Sequence, residues 1–513
     1  MSSLLQISDL ALQFGQGADA RRVVDGVSLH LRQGEMLGLV GESGSGKSLT
    51  ALSVMGLLPP AARVAGGSIR YCPEHGAADL LNNSAQDWQR IRGREIAMIF
   101  QEPMSSLNPV FRCGEQVAEA LRWHFHLSAE EARSRTLQWL RRVQLDDAER
   151  IYRAYPHQLS GGQKQRVMIA MALCCQPGIL IADEPTTALD VTVQQAILRL
   201  LRQLHEEENL STLFISHDLG VIGALCHRVA VMHQGQVVEE GPVQQILRQP
   251  GHPYTRRLLA ARPSLRHQYH RLSTGASPDA EEPLSSPRLV SAAEMAQRRA
   301  SLYASPPLLR AEQLGVRFAA RKNWLGMPAA WLQAVDQASF EVYAGETFGI
   351  AGESGCGKTT LGRTLACLQP ASAGAVWYSP AGAPPLDLLR LPEQELRVLR
   401  RQIQVIFQDP QGSLNPRMSI GAAIAEPMAV HGLESSAARR RERTAALLDM
   451  VGLEADLADR LLHALSGGQR QRACIARALA VEPRVLICDE CVSSLDVSVQ
   501  ATVLNLLKDL QEK

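Results

Sequence analysis

Long apolar runs are missing: no stretch of the 513 residues reaches the roughly 18 to 20 uninterrupted apolar residues of a membrane-spanning helix. The start, MSSLLQISDLALQFGQG, lacks the basic segment and apolar block of a signal peptide, so a cytosolic chain is expected. An excess of one charge is missing as well. The 53 Lys and Arg stand against 52 Asp and Glu, a formal +1, so no bulk positive field argues for nucleic acid or an anionic membrane surface, and any such contact has to be local. Cysteine is sparse. Ten residues, at 72, 113, 174, 175, 226, 356, 367, 474, 488 and 491, are too few for a disulfide scaffold in so long a chain, and buried reduced thiols are the default. The one literal C-x-x-C, Cys488-Asp-Glu-Cys491, is a weak redox or metal signal, because its middle pair is wanted for other chemistry.

What is present suits folded protein. Hydrophobic residues make up 45% and charged residues 20%, which excludes a disordered, collagenous or low-complexity chain. At roughly 150 residues per domain the length predicts about three units. An internal duplication organises them. GESGSGKS at 41–48 returns as GESGCGKT at 352–359, and FQEPMSSLNP at 100–109 as FQDPQGSLNP at 407–416. LSGGQKQR at 159–166 returns as LSGGQRQR at 465–472, and ADEPTTALDVTVQ at 182–194 as CDECVSSLDVSVQ at 488–500. Four motifs in one order, at offsets of 306 to 311 residues, make one domain written twice. The expected division is a first domain at 1–262, a linker at 263–307 and a second domain at 308–513. The linker is rich in Ser, Pro and charge, with SAAEMAQRRASLY as a possible short helix.

Each copy opens with an apolar run, Met36–Val40 or Thr347–Ala351, that passes straight into the glycine-rich motif, predicting strand, loop and helix. The runs at 178–182 and 485–488 end in Asp-Glu and read as strands buried on both faces of a parallel sheet. Strands and helices alternate, so the fold class is α/β. Helix-forming segments between Gln101 and Ser160 predict a helical insertion in each copy.

The chemistry follows from the motifs. Gly41-x4-Gly46-Lys47-Ser48 and Gly352-x4-Gly357-Lys358-Thr359 fit a phosphate-binding loop, whose backbone N–H groups turn inward around phosphate oxygens at a helix N-terminus. Ser43, Gly44, Ser354 and Gly355 lie inside the two loops. Lys47 and Lys358 would meet the β and γ phosphates, while Ser48 and Thr359 place a hydroxyl on Mg²⁺. Asp183 and Asp489 suit holding Mg²⁺ through water, since a hard cation prefers carboxylate oxygen. Glu184 and Glu490, next in sequence, are placed to polarise the attacking water.

With LSGGQ, both halves resemble the nucleotide-binding domains of ABC-type ATPases over residues 1–262 and about 308–513. The resemblance implies two P-loop ATPase domains using ATP and Mg²⁺. It also implies that Ser160 and Gly162, and Ser466 and Gly468, close over the γ-phosphate held by the other domain, so that the two halves pair head to tail. Gln101 and Gln408 match the family's glutamine loops, which sense Mg²⁺ and the attacking water. His217 matches the switch histidine, and Asp190 and Asp496 close the loops that touch across the pair. Adenine stacking falls to an aromatic ring upstream, with Phe14 and Phe318 as candidates. Cys174-Cys175 reads as core packing.

The offset of 306 puts a second switch histidine near position 523, past the last residue, Lys513, so the second copy is expected to be shortened and poorly stable. It also carries Cys491 where the first has Pro185. The tail P-x-x-S-L-N-P and Gly251-His-Pro-Tyr-Thr255 resemble the ATPases of dipeptide, oligopeptide, glutathione and nickel importers. That resemblance implies two integral-membrane permease subunits and a solute-binding protein as partners. It also implies a peripheral place on the inner face of the cytoplasmic membrane, with no nucleic acid bound. A soluble tandem ATPase acting on ribosomes or DNA is the competing class, and the basic arms or zinc-binding cysteine clusters it would use are not seen.

Overall fold

Period-two burial builds the first layer. In the strand β2 (Arg21–Arg32), which pairs antiparallel with β1 (Ser3–Phe14), Val27, Leu29 and Leu31 face inward while Ser28 and Arg32 face solvent. The computed structural model describes residues 3–15, 20–73, 76–101, 106–186, 189–260, 269–272, 288–322, 328–380, 383–492, 495 and 497–512. Two units divide at residue 262. In the first, β4 (Ala62–Tyr71) and β5 (Ala78–Asp79) complete an antiparallel sheet of order β2-β1-β4-β5. The second sheet joins β3 (Met36–Val40), β6 (Ile96–Ile99), β7 (Ile179–Asp183), β8 (Ser211–Ser216), β9 (Arg228–His233) and β10 (Gln236–Pro242) in the order β10-β9-β3-β8-β7-β6. All of its pairings are parallel except β10 with β9.

Every residue of β3, β7 and β8 is buried, because the sheet carries one core on each face. Leu37, Leu39, Ile179 and Ile181 point into the core shared with the antiparallel sheet. Their neighbours Met36, Val40, Leu180 and Ala182 point into the other. That second core also takes Val117 and Leu121 of the helix Cys113–Phe125 and Leu140 of the helix Ala129–Arg142. The latter starts at Ser128 in a reciprocal cap with Glu131. The expected helical insertion lies here.

The second unit repeats the antiparallel layer, β12-β11-β13-β14, from β11 (Leu309–Lys322), β12 (Pro328–Val342), β13 (Ala373–Tyr378) and β14 (Leu386–Asp387). Among its described residues the parallel sheet is a single pair, β15 (Ile403–Ile406) with β16 (Val485–Cys488). Two strand expectations are corrected. Residues 347–351 form no strand, and Phe348 and Ile350 are each 41% exposed. In the first unit β3 is held by β8 on one side and β9 on the other. Among the described residues of the second unit no strand lies beside 347–351 to accept its backbone hydrogen bonds. For the same reason β16 is only half-buried, with Cys488 exposed, where β7 is buried throughout. Burial of the thiols is also incomplete: Cys356 and Cys488 are exposed and Cys72 and Cys367 half-buried.

Within the expected linker, the helix Ala292–Leu302 is capped by Ser291 and Glu294. Residues 269–272 lie against the helix Val497–Glu512, where Lys508 donates to the Tyr269 carbonyl at 2.9 Å and Asn505 bonds both backbone groups of Leu272 at 2.8 Å. No helix among the described residues is long and apolar enough to cross a membrane.

Candidate functional site

In the first unit β3 runs into Gly41, and Gly46, at φ 102°, opens the helix Lys47–Val54. A Cβ at Gly41 would lie 2.1 Å from the Met232 carbonyl oxygen, and one at Gly46 3.0 Å from that of Val23. Only glycine fits this approach and this backbone. The turn between them passes through Ser43 and Gly44, at φ 79°. Lys47 is buried, and its ammonium donates to the carbonyls of Gly41 at 2.7 Å and Glu42 at 2.8 Å. The second unit repeats the turn through Gly352, Ser354 and Gly355, with Gly357, at φ 100°, opening the helix Lys358–Leu365. Lys358 donates to the Gly352 and Glu353 carbonyls, both at 2.8 Å.

The Asp-Glu pairs meet these loops from the strand ends. Ser48 Oγ donates to Asp183 Oδ1 at 3.2 Å, and Thr359 Oγ1 to Asp489 Oδ1 at 3.1 Å. Glu184 and Glu490 both have left-handed backbone, φ 46° and 48°, a conformation costing a non-glycine residue on the order of 1–3 kcal/mol. It breaks the strand direction and turns each carboxylate toward a glutamine. Gln101 Nε2 donates to Glu184 Oε2 at 3.1 Å and Gln408 Nε2 to Glu490 Oε2 at 2.6 Å. His217 Nδ1 stands 3.1 Å from the other Glu184 oxygen. Lys47, Ser48, Gln101, Asp183, Glu184 and His217 thus converge in one unit, as do Lys358, Thr359, Gln408, Asp489 and Glu490 in the other.

Burial pushes the Asp183 carboxyl up to about 6; the neighbouring Glu184 charge adds to this, while Ser48 and Lys47 act against it. A buried carboxylate beside a hydroxyl is the oxygen donor set that a hard divalent cation takes. The inward-turned loop and its lysine complement phosphate. The residues present therefore fit Mg²⁺ and a nucleoside triphosphate.

Ser160 and Ser466 are exposed at the N-termini of the helices Gly161–Leu173 and Gly467–Leu479. Each hydroxyl accepts from a backbone N–H three residues on, Gln163 or Gln469, at 3.3 Å, and each glutamine side chain bonds back. Gly162 packs against Val193, whose Cγ1 would be 2.7 Å from an added Cβ, and Gly468 faces Leu495 at 3.5 Å. Asp190 caps the helix Val191–Glu208, and Asp496 lies outside the described residues. Phe14 ends β1 half-buried, and Phe318 is exposed on β11.

Tyr254 joins the first site unforeseen. Buried and stacked on His233 with ring centroids 3.9 Å apart, it accepts the Glu42 N–H of the phosphate loop on its hydroxyl at 3.1 Å. The H-P-Y-T run was visible in sequence, but the loop it touches lies 212 residues earlier, and no local pattern records that distance.

The ABC transporter family profile matches residues 24–187 and 335–493, and that of the oligopeptide/dipeptide transporter C-terminal region matches residues 238–286. The glutathione import ATP-binding protein GsiA of Escherichia coli strain K12 is 44% identical over 524 residues, spanning 99% of this chain and 80% of the relative. Its counterpart in Salmonella choleraesuis is 45% identical over 520 residues, with the same coverage. The solved dimer of a bacterial ABC transporter cassette aligns with 47% of this chain and 98% of its own at 29% identity, with a TM-score of 0.42.

Proposed function

The chain belongs to the ABC transporter ATP-binding family, and from that premise we propose that it is the ATP-hydrolysing, energy-coupling subunit of an importer for glutathione or short peptides. The doubled constellation supports hydrolysis: in each unit a hydroxyl bonds the aspartate and a glutamine amide bonds the glutamate, with the loop lysine beside them. Gly41–Ser48 and Gly352–Thr359 would hold the phosphates, and Ser48 with Asp183, and Thr359 with Asp489, the magnesium. Bound there, Mg²⁺ would neutralise charge on the transferring phosphoryl group. Glu184, held by Gln101 and His217, would accept a hydrogen bond from water and orient it in line, and Glu490 would do so in the second unit. Ser160 with Gly162, and Ser466 with Gly468, would close over the triphosphate held by the other unit, drawing the halves together in a cycle that moves the permeases.

The importer class is supported by the identity to glutathione import ATP-binding proteins over 99% of this chain and by the match of residues 238–286 to the oligopeptide/dipeptide transporter region. A permease contact has a candidate surface in Val110 and Phe111, which follow the glutamine segment of the first unit and are 71% and 56% exposed. The chain would then sit on the inner face of the cytoplasmic membrane. Gentle-detergent affinity purification from native membranes, with mass spectrometry of what co-elutes, tests this. Two permease subunits and a solute-binding protein are expected, whereas ribosomal proteins or DNA-repair factors would overturn the proposal.

A further inference from the structure

A cavity of about 170 Å³ opens in the second unit between β15, the residues that follow the helix Lys358–Leu365, and the helix Gly467–Leu479. The duplication shows what hollowed it out. Ala366, Val405, Cys474 and Arg477 line it, and at the offsets of the neighbouring motifs the first copy has methionine at all four positions, Met55, Met98, Met168 and Met171. Met55 and Met168 are buried there, and Met98 and Met171 pack against the two cores. Methionine fills irregular core space, and the shorter Ala, Val and Cys leave part of that space open. The wall has changed its charge as well. Arg477 donates from Nη1 to the Ser413 carbonyl and is in no ion pair among the described residues. Arg400, also in the wall, is paired with Glu393, and its buried Nε meets no acceptor. None of the residues lining the cavity is acidic. Burial pushes the Cys474 thiol up to about 11, with Asp409 outside the wall adding to this and Arg477 acting against it, so the sulfur is neutral. Phe407, another wall residue, precedes Gln408, which bonds Glu490.

We propose that this cavity is a binding site for a small carboxylate with an apolar body, the carboxylate on Arg477 and the body against Ala366, Val405 and Cys474. A guanidinium with one N–H group taken still offers others in the planar fork that a carboxylate accepts from in pairs. The apolar wall sets the size of the rest: an apolar cavity of about 150 Å³ holds benzene, so this one holds a body of about six carbons. One unpaired guanidinium facing an apolar wall matches a single negative charge, and a phosphate would leave most of its oxygens without donors. The first copy, with methionine at the four positions, has neither the space nor the charge.

Calorimetric titration of the full chain with hexanoate, hexanol and hexylamine tests this. Hexanoate should bind at one site, about ten-fold more tightly than hexanol, the difference made by a charge-assisted pair, and hexylamine should not bind. Ala366→Met combined with Cys474→Met, which gives the second copy the residues of the first, should abolish hexanoate binding. Arg477→Met should lower hexanoate to the level of hexanol or below. Cys474→Met alone should weaken hexanoate at least five-fold, and it decides the point if the double variant does not fold. Equal affinity for hexanoate and hexanol in the unaltered chain would overturn the carboxylate. Undiminished hexanoate binding in the filled variants would overturn the site, and no binding of any probe would overturn both. The readout is binding alone, so neither the hydrolysis nor the importer reading enters the result.

Discussion

Glu184 shows how one residue gathers a site. Its backbone is strained, and its two carboxylate oxygens are taken by Gln101 and His217, so the side chain has little freedom left to spend when a water approaches. Replacing it by glutamine keeps the shape and removes the charge. Glu184→Gln is therefore expected to bind ATP normally with reduced turnover, and together with Glu490→Gln to lower turnover roughly 10²–10⁴-fold, the size of a general-base contribution. Nucleotide-binding titration and steady-state phosphate release check both parts, and undiminished turnover would remove the role. Tyr254→Phe tests the contact that only the fold revealed. Losing a neutral hydrogen bond to the Glu42 N–H removes about 1 kcal/mol, so the first unit's denaturation midpoint should fall and, as the loop loses its hold, ATP affinity at the first site should fall by up to about five-fold. Equal affinity in both chains would mean that the loop holds its shape without the tyrosine. Gly357→Ala should be harsher, because its Cβ would sit 2.1 Å from the Ala334 carbonyl oxygen at φ 100°. Loss of nucleotide binding by the second unit is expected.

Elements here succeed or fail by their neighbours. Met36–Val40 and Thr347–Ala351 have the same apolar character and the same place before a phosphate loop, yet only the first is a strand. The difference lies in β8 and β9, which bond β3 on both edges. Amide hydrogen exchange should show it directly: residues 37–40 protected nearly to the stability of the first unit, residues 348–351 exchanging close to the open-chain rate. Comparable protection in both would contradict the structure. Helix starts are more local. The Ser-x-x-Gln caps at Ser160 and Ser466 are each readable within four residues. Ser466→Ala should cost about 1 kcal/mol of second-unit stability, measured as a shift in its denaturation midpoint.

At the scale of the molecule the two copies are unequal. The first unit buries a six-stranded, mostly parallel sheet between two cores, while the described second unit has a two-stranded parallel pair, a half-buried β16 and exposed Phe348 and Ile350. Less apolar surface is removed from water, so the second unit should unfold at lower denaturant, giving two transitions. A single transition with coincident probes would count against this. The duplication, the α/β alternation, the phosphate loops and the Asp-Glu pairs were all legible in the sequence, because each is a short run whose spacing is itself the chemistry. The pairing of Gln101 and His217 on Glu184, the hydroxyl of Tyr254 on the loop and the failure of residues 347–351 to become a strand were not. Those depend on strand order and on one residue's left-handed turn, and a backbone or side-chain hydrogen bond exists only once the fold has brought its partner within reach.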